Sequence, residues 1–470
     1  MIYIAPSNLF ISAGRYPKTM ISLTPKQKKN LLLLTVLLIA ASMAYIPHRR
    51  YSYPLHRDEW DRIPWAQAII RSQSMQYRDP VLGERMVTLN REIGFGVWLA
   101  LVELVTDVPW WPFFRYSPIF ITGLLVLSTY IFANRLGYGL ESALFVSLLP
   151  TTVRFLGPAF LVPVSLGLIF IPLALFITFN ATRWHHYLLL VLILLFLISV
   201  HAPTALALLI ILVIYMVLAK DWRLLATLSL VFLAGVLVLV YYFKKEVAIT
   251  TFRFETFIRF YDVFKEVGYL PTAFFIIGTF MLIRKHGKDA ALVYASIIFL
   301  LINLAYRRLS WTLVVMPERN IIYLMLLMSI IAGYPLSKVR DKRIVVGIFL
   351  VVLFVSYQAH IGTPYYHIIN EREFDDFVFI RDNIEGEKAV LDPGWALTFP
   401  SVTEKYVYSY IFPGSNKFYG GRNVEIFAFL GDKCKDTGFL RKNKISIVYS
   451  ANGCDNEDLV KVRERVYVLG

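Results

Sequence analysis

Long apolar stretches, broken by short polar loops, dominate the first three quarters of the chain. The runs fall near 30–46, 116–134, 139–156, 159–180, 187–201, 203–219, 224–243, 269–283, 290–305, 320–336 and 344–360. Each approaches the ~20 apolar residues that a helix needs to cross a bilayer. The pattern predicts a polytopic α-helical membrane protein. A further run, "IGFGVWLALVELV" at 93–105, has about 13 apolar-dominated residues interrupted by Glu103, too few to span.

Charge decides how that run is placed. If 93–105 does not cross, one set of short loops carries Arg135, Arg183, Lys220, Arg223, Arg284, Lys285, Lys288, Lys338, Arg340, Lys342 and Arg343. The opposite set carries Arg154, Arg307, Arg308 and Arg319. Cytoplasmic loops are the richer in Lys and Arg, so eleven spans are expected, with 93–105 lying in the outer interface. The first span agrees, because Lys26, Lys28 and Lys29 flank its start. Thr24 fits its N-cap and Pro25 its first turn. This reading divides the chain into a weakly patterned extension (1–23), a transmembrane part (24–360) with a long outer loop (47–114), and an outer domain (361–470). The N-terminus is cytoplasmic and the C-terminal domain extracytoplasmic in a cell membrane. The extension lacks the pattern of a cleaved signal peptide, so none is expected.

Composition agrees: 57% of residues are hydrophobic and the mean hydropathy is +0.57. The net charge of +15 sits mostly in short loops, where it sets orientation and attracts anionic lipid, and no nucleic-acid partner is expected. After Tyr365 the pattern becomes mixed. "FDDFVFIRDNI" predicts a helix, "KAVLD" and "KYVYSYIF" strands, "DTGFLRKNKISIVYSA" a helix end then a strand, and "DNEDLVKVRERVYVLG" a helix then a strand. Together they predict a small α/β domain. Cys434 and Cys454, the only cysteines, both fall there, and a disulfide or two free thiols fit their spacing equally well.

The chemistry gathers at the outer ends of the helices. The assigned spans carry no Asp, Glu, Lys or Arg at mid-depth, which argues against an ion-coupled transporter. The loop at 47–114 instead interleaves eight basic and eight acidic residues with Trp60, Trp65, Trp98, Trp110 and Trp111. Its stretch "YPLHRDEWDRIPWAQAII" holds Asp58, Glu59 and Asp61. An interfacial helix capped by Asp58 and turned at Pro64 accounts for one of these carboxylates, not for three. A second cluster, "YRRLSWTLVVMPERN", carries Arg307, Arg308, Glu318 and Arg319. Arginine's fork matches phosphate oxygens, though each of these side chains equally suits snorkelling to headgroups. His201 in "SVHAPTALALL" sits where one span ends and the next begins, a place for a helix-end hydrogen bond or a substrate contact. There is no Walker A loop, no GxGxxG after a strand and no HExxH.

The acidic cluster after the first span, the multi-span core, the outer Arg and the C-terminal domain together resemble the GT-C superfamily of membrane glycosyltransferases. "RYSPIFITGLLVLSTYIFANRLGYGLESALFVSLLPTTVRFLGPAF" at 115–160 is similar to the second and third spans of its oligosaccharyltransferase-like and protein-mannosyltransferase-like members. The resemblance implies sugar transfer from a polyprenyl-phosphate donor to a lipid, glycan or protein acceptor at the extracytoplasmic face. It assigns Asp58 and Glu59 as the catalytic acidic pair. Arg319, with Arg307 and Arg308 as alternates, would hold the donor phosphate, and Asp61, His201 and Glu318 are candidate substrate contacts. No cofactor is certain; a divalent Mg or Mn ion, if used, would fall to Asp58 and Asp61. The WWDYG signature of oligosaccharyltransferases is absent, and "RFLGPAFLVPVS" carries no second acidic motif. A single sugar on a polyprenyl monophosphate therefore fits better than a whole oligosaccharide. A lipid-linked-saccharide flippase and a non-catalytic membrane scaffold are the rival classes. A transferase requires Asp58 and Arg319 within about 15 Å in one cavity, with room for a sugar phosphate between them.

Overall fold

The computed structural model describes residues 24–87, 92–152, 156–223, 226, 228, 229, 233, 260–285, 287–309, 317–363, 365, 367–411 and 416–470. The apolar runs become helices. In chain order they are α1 (Pro25–Tyr45), α2 (Arg57–Ser72), α3 (Ile93–Thr106), α4 (Trp110–Leu136), α5 (Gly139–Ser147), α6 (Pro163–Phe179) and α7 (Trp184–Ala219), then α8 (Phe260–Val267), α9 (Tyr269–Arg284), α10 (Ala290–Leu309), α11 (Pro317–Ser337) and α12 (Lys342–Gly362). Among the described residues five helices are long and apolar enough to cross a membrane: Pro25–His48, Trp110–Leu136, Trp184–Ala219, Arg319–Ser337 and Lys342–Gly362. The protein is a multi-pass helical membrane protein. Thr24 caps α1 through a reciprocal capping box with Gln27.

The two ends of the bundle can be told apart by their contacts. At one end Lys29 Nζ donates to Asn134 at 2.6 Å, and Arg135 Nε donates to Asn180 at 3.1 Å. At the other, Arg115 donates to the Tyr45 hydroxyl at 3.1 Å. α7 is not a straight rod. His201 leaves the helical region (φ −158°, ψ 91°), and Pro203 follows it. A straight helix would hold Tyr187 and Tyr215 about 42 Å apart, yet these phenols are electrostatic neighbours, and Tyr215 packs on Phe179 at 4.4 Å. The two apolar runs at 187–201 and 203–219 therefore form a hairpin with His201 at its apex. Gly94, at the start of α3, packs against Ser199 beside that apex, while Glu103 near the end of α3 lies in the field of Glu404. α3 thus runs from the apex of α7 toward Glu404. Leu101, Leu104 and Val105 project outward, more than half exposed.

Two expectations for the membrane part need correction or fall elsewhere. The run at 139–156 is helical only over its first nine residues. Pro150, Gly157 and Pro158 break the rest, and the described residues 148–152 and 156–162 form a largely buried, irregular stretch. Several of its backbone polar groups have side-chain partners, as burial demands. Thr151 Oγ1 accepts from Ala159 N–H, Ser165 Oγ donates to the Gly157 carbonyl, Thr122 Oγ1 donates to that of Pro158, and Tyr365 OH to that of Thr151. Gly157 fits because a Cβ there would lie 2.3 Å from Thr151 Oγ1 and 2.4 Å from the Pro150 carbonyl. Gly157→Ala is expected to cost about 1–3 kcal/mol by overpacking, read as a lower unfolding temperature in detergent; an unchanged temperature would show that the segment relaxes freely. Most of the run at 224–243 and of the loop at 244–268 lies outside the described residues.

The last hundred residues contain a five-stranded sheet in the order β4-β3-β5-β7-β6, numbered after the small hairpin β1 (Tyr77–Arg78) and β2 (Met86–Val87) of the outer loop. β3 (Lys388–Val390) pairs in parallel with β4 (Tyr406–Val407) and β5 (Ile447–Tyr449). β6 (Leu459–Arg463) and β7 (Val466–Leu469) pair antiparallel to each other, so "DNEDLVKVRERVYVLG" is a hairpin rather than a helix and a strand. The alternation in "VKVRERVYV" has the period of a strand, and that period prevails. Cys434 and Cys454 form a disulfide.

Composition changes near 361, but the packing does not separate there. Tyr51 OH donates to the Ile369 carbonyl at 2.7 Å, Arg71 pairs with Glu404, and Val407 N–H donates to the Val81 carbonyl. One hydrophobic core runs from the bundle through the 47–114 loop into the sheet. The short helix Thr398–Thr403 supplies a specific repair. Pro64 inside α2 has no N–H for the Trp60 carbonyl, and the Ser401 hydroxyl donates to that carbonyl instead, at 2.8 Å. α2 therefore runs through Pro64 instead of turning there.

Candidate functional site

The site is built on the first turns of α2 and α11, which meet at the His201 end of the bundle. His56, not Asp58, is the N-cap of α2. Its Nδ1 accepts from the Asp58 N–H at 3.1 Å, and Glu59 completes a capping box by accepting from the His56 N–H at 2.9 Å. This shift of the cap by two residues leaves the Asp58 carboxylate free of backbone duty.

The three carboxylates of the stretch have three different environments. Asp58 Oδ2 accepts from Arg319 Nη2 at 3.1 Å, a contact between residues 261 apart in sequence. Both side chains keep access to solvent, 24% and 23% exposed. The expected gap of sugar-phosphate width is replaced by direct contact. Burial pushes the Asp58 carboxyl up, but the charges of His56, Arg319 and Arg62 outweigh it and hold it down at about 2.

Glu59 is wholly buried. Its Oε2 accepts from the N–H groups of Leu55 and His56, both at 2.9 Å, and its Oε1 from Leu161 N–H at 2.7 Å. Burial pushes its carboxyl up to about 8, against the pull of those backbone donors. With both oxygens committed and no exposure, Glu59 is not placed to touch a substrate, and the expectation of a second catalytic carboxylate is corrected on that ground. It braces the start of α2 against the irregular segment before α6.

Asp61, one turn from Asp58, accepts from Trp65 Nε1 at 3.3 Å and lies 4.0 Å from Arg62. Burial pushes its carboxyl upward. His201 is buried. Its Nδ1 lies 2.7 Å from Thr204 Oγ1 and 3.3 Å from the Tyr323 hydroxyl, and its Nε2 faces Glu92 at 3.7 Å. Glu92 in turn bonds Arg62 at 2.5 Å. Arg319, at the third position of α11, is a cation at the positive end of a helix, an unfavourable place that a bound anion offsets. The side chains of Arg307, Arg308 and Glu318 lie outside the described residues.

Sequence reasoning passed over Arg62, Glu92 and Tyr323. Arg62 stands four residues after Asp58 and so shares its helix face, a signal present in the sequence. Glu92 reaches the site only because α3 starts beside the apex of α7, and Tyr323 only because α11 faces that apex. Among the described residues no three His, Cys, Asp or Glu side chains converge so as to hold a metal ion. Asp58 and Asp61 each stand beside an arginine, whose positive charge competes with a cation for the carboxylate.

No protein-family model matches the chain, and no characterised protein matches it in sequence. Its three-dimensional shape does have counterparts. The oligosaccharyltransferase of Archaeoglobus fulgidus, solved with a tethered acceptor peptide, superposes with a TM-score of 0.56 at 10% identity, covering 90% of this chain and 70% of that one. ArnT from Cupriavidus metallidurans gives 0.56 at 12% identity, over 95% and 98% of the two chains. The mycobacterial arabinofuranosyltransferase AftD gives 0.54 at 14%, with 93% of this chain matching 39% of that longer one.

Proposed function

This chain has the GT-C fold of membrane glycosyltransferases, and we propose that it transfers one sugar from a polyprenyl-monophosphate donor to a hydroxyl acceptor. The contact that carries the reading is the Asp58–Arg319 pair, brought together from opposite ends of the membrane part. The acceptor is a lipid, glycan or protein at the extracytoplasmic face. The donor's isoprenoid tail lies among apolar helices, which explains why the reaction uses a membrane protein. In this reading the chain crosses eleven times, with residues 47–114 and 361–470 outside and the N-terminus in the cytoplasm, as the basic loops favour.

The acceptor oxygen attacks the anomeric carbon while Asp58 removes its proton. The bond from that carbon to the phosphate oxygen breaks on the opposite face, giving inversion and free polyprenyl phosphate. The leaving phosphate gains negative charge, which Arg319 stabilises. Glu59 serves the reaction by fixing the position of Asp58. The hexosyl or pentosyl identity of the sugar follows from the donor that works in the assay.

The experiment is to reconstitute the full chain in vesicles with radiolabelled sugars on polyprenyl monophosphate or pyrophosphate and extracted membrane acceptors. Label leaving the monophosphate carrier for an acceptor, with stoichiometric polyprenyl phosphate released, is the expected result. Movement of intact donor between leaflets without cleavage would instead identify a flippase.

A further inference from the structure

We propose, resting on the phosphate role given to Arg319 above, that Asp58 occupies in the free protein the guanidinium that the donor phosphate needs. Donor binding then exchanges one anion for another on Arg319 and releases Asp58 as the base. The donor must therefore bind before the acceptor can be deprotonated.

The geometry distinguishes a fixed partner from a movable one. Asp58 sits on a backbone held by the His56 cap and the three Glu59 hydrogen bonds. Its second oxygen, Oδ1, stands 3.8 Å from His56 Nδ1, a nitrogen already accepting from the Asp58 N–H. Asp58 is thus secured through its main chain, and its carboxylate is held by Arg319. Arg319 has a long stem and a fork with five donors, one of them used on Asp58. Its swing toward a phosphate oxygen leaves the base where it was.

Among the described residues, nothing nearby substitutes for the lost contact. Arg62, the other cation of the cluster, is engaged with Glu92 at 2.5 Å and stands 4.0 Å from Asp61. His201 is bonded to Thr204 and Tyr323 and faces Glu92. Asp58, Asp61 and Glu92 already place three carboxylates against the two arginines, Arg62 and Arg319. A bound phosphate adds another negative charge. That excess is relieved when the released Asp58 takes the proton of the acceptor hydroxyl. A carboxylate paired with a guanidinium is a poor base, and the same carboxylate beside a phosphate anion is a better one.

Competition predicts an outcome that a simple two-residue site does not: removing the base improves donor binding. Farnesyl phosphate is titrated onto the detergent-solubilised full-length chain and its variants. Asp58→Asn is expected to bind it roughly three- to tenfold more tightly, the weight of one partly buried charge-assisted hydrogen bond. Arg319→Gln is expected to lose about tenfold or more, and the double variant to match Arg319→Gln alone. Asp61→Asn removes the same charge without touching Arg319 and is expected to change binding less than Asp58→Asn does. Asp58→Ser is read in the same way should the Asn variant fail to fold. Unchanged or weaker binding in both Asp58 variants overturns the exchange while leaving the phosphate role of Arg319 intact. Tightening that persists on the Arg319→Gln background also overturns it, by revealing a field effect instead of competition. Undiminished binding in Arg319→Gln removes the phosphate role itself.

Discussion

Asp58→Asn is expected to slow sugar transfer by about 10²–10⁴, the usual contribution of a general base, with the fold preserved. The amide keeps the shape of the carboxylate and one oxygen for Arg319, and its backbone remains capped by His56. The penalty in stability is therefore small and electrostatic. Its pH dependence has a definite sign. The folded-state carboxyl lies at about 2 against an ordinary value of 3.8, so the stabilisation is present above the ordinary value and lost as pH falls through about 2. The difference in unfolding temperature between wild type and Asp58→Asn should be constant from neutral pH to about 5 and shrink below about 4. Transfer assays on the folded variant decide the chemical role: a rate near that of wild type would end the assignment of Asp58 as base.

Glu59→Ala should act on the fold first. Removing this side chain strands three buried backbone N–H groups, of Leu55, His56 and Leu161. Each unsatisfied donor costs about 1–3 kcal/mol, so a loss of roughly 3–9 kcal/mol is expected. Thermal unfolding in detergent reads it directly. Glu59→Gln keeps one acceptor oxygen and turns a donor toward a donor at the other, so it should fall between wild type and Glu59→Ala in stability. Where that variant still folds, transfer should be reduced while farnesyl phosphate binding is retained, as expected of a positioning residue. A Glu59→Ala protein of normal stability that had lost transfer alone would restore Glu59 to the chemistry.

Adjacent residues of one short acidic stretch thus have opposite duties, and helix geometry is the reason. Consecutive positions on a helix point about 100° apart. Glu59 turns inward to the caps and to Leu161, while Asp58 turns toward α11. Which carboxylate does which depends on the first residue of the helix. Moving the cap from Asp58 to His56 exchanges the roles, and a histidine cap is not what residue preferences favour.

Much was determined by the sequence alone, because burial in lipid leaves a periodic apolar record that needs no partner to be read. The helices α1, α4, α6 and α9 to α12, the short apolar α3 and the break at His201 all belong to that class. An acidic loop and an arginine at the start of α11 are each legible as unusual for their surroundings, but their meeting belongs to the tertiary structure. What only the tertiary structure decided were the matters settled by contacts between distant segments. The irregular stretch before α6 holds its shape through Thr122, Thr151, Ser165 and Tyr365, and α2 runs through Pro64 because Ser401 reaches it. Arg62, Glu92 and Tyr323 enter the site through the packing of α2, α3 and α11 around the apex of α7. Local pattern records how each residue meets lipid or water. It does not record which residue, hundreds of positions away, will complete its hydrogen bonds.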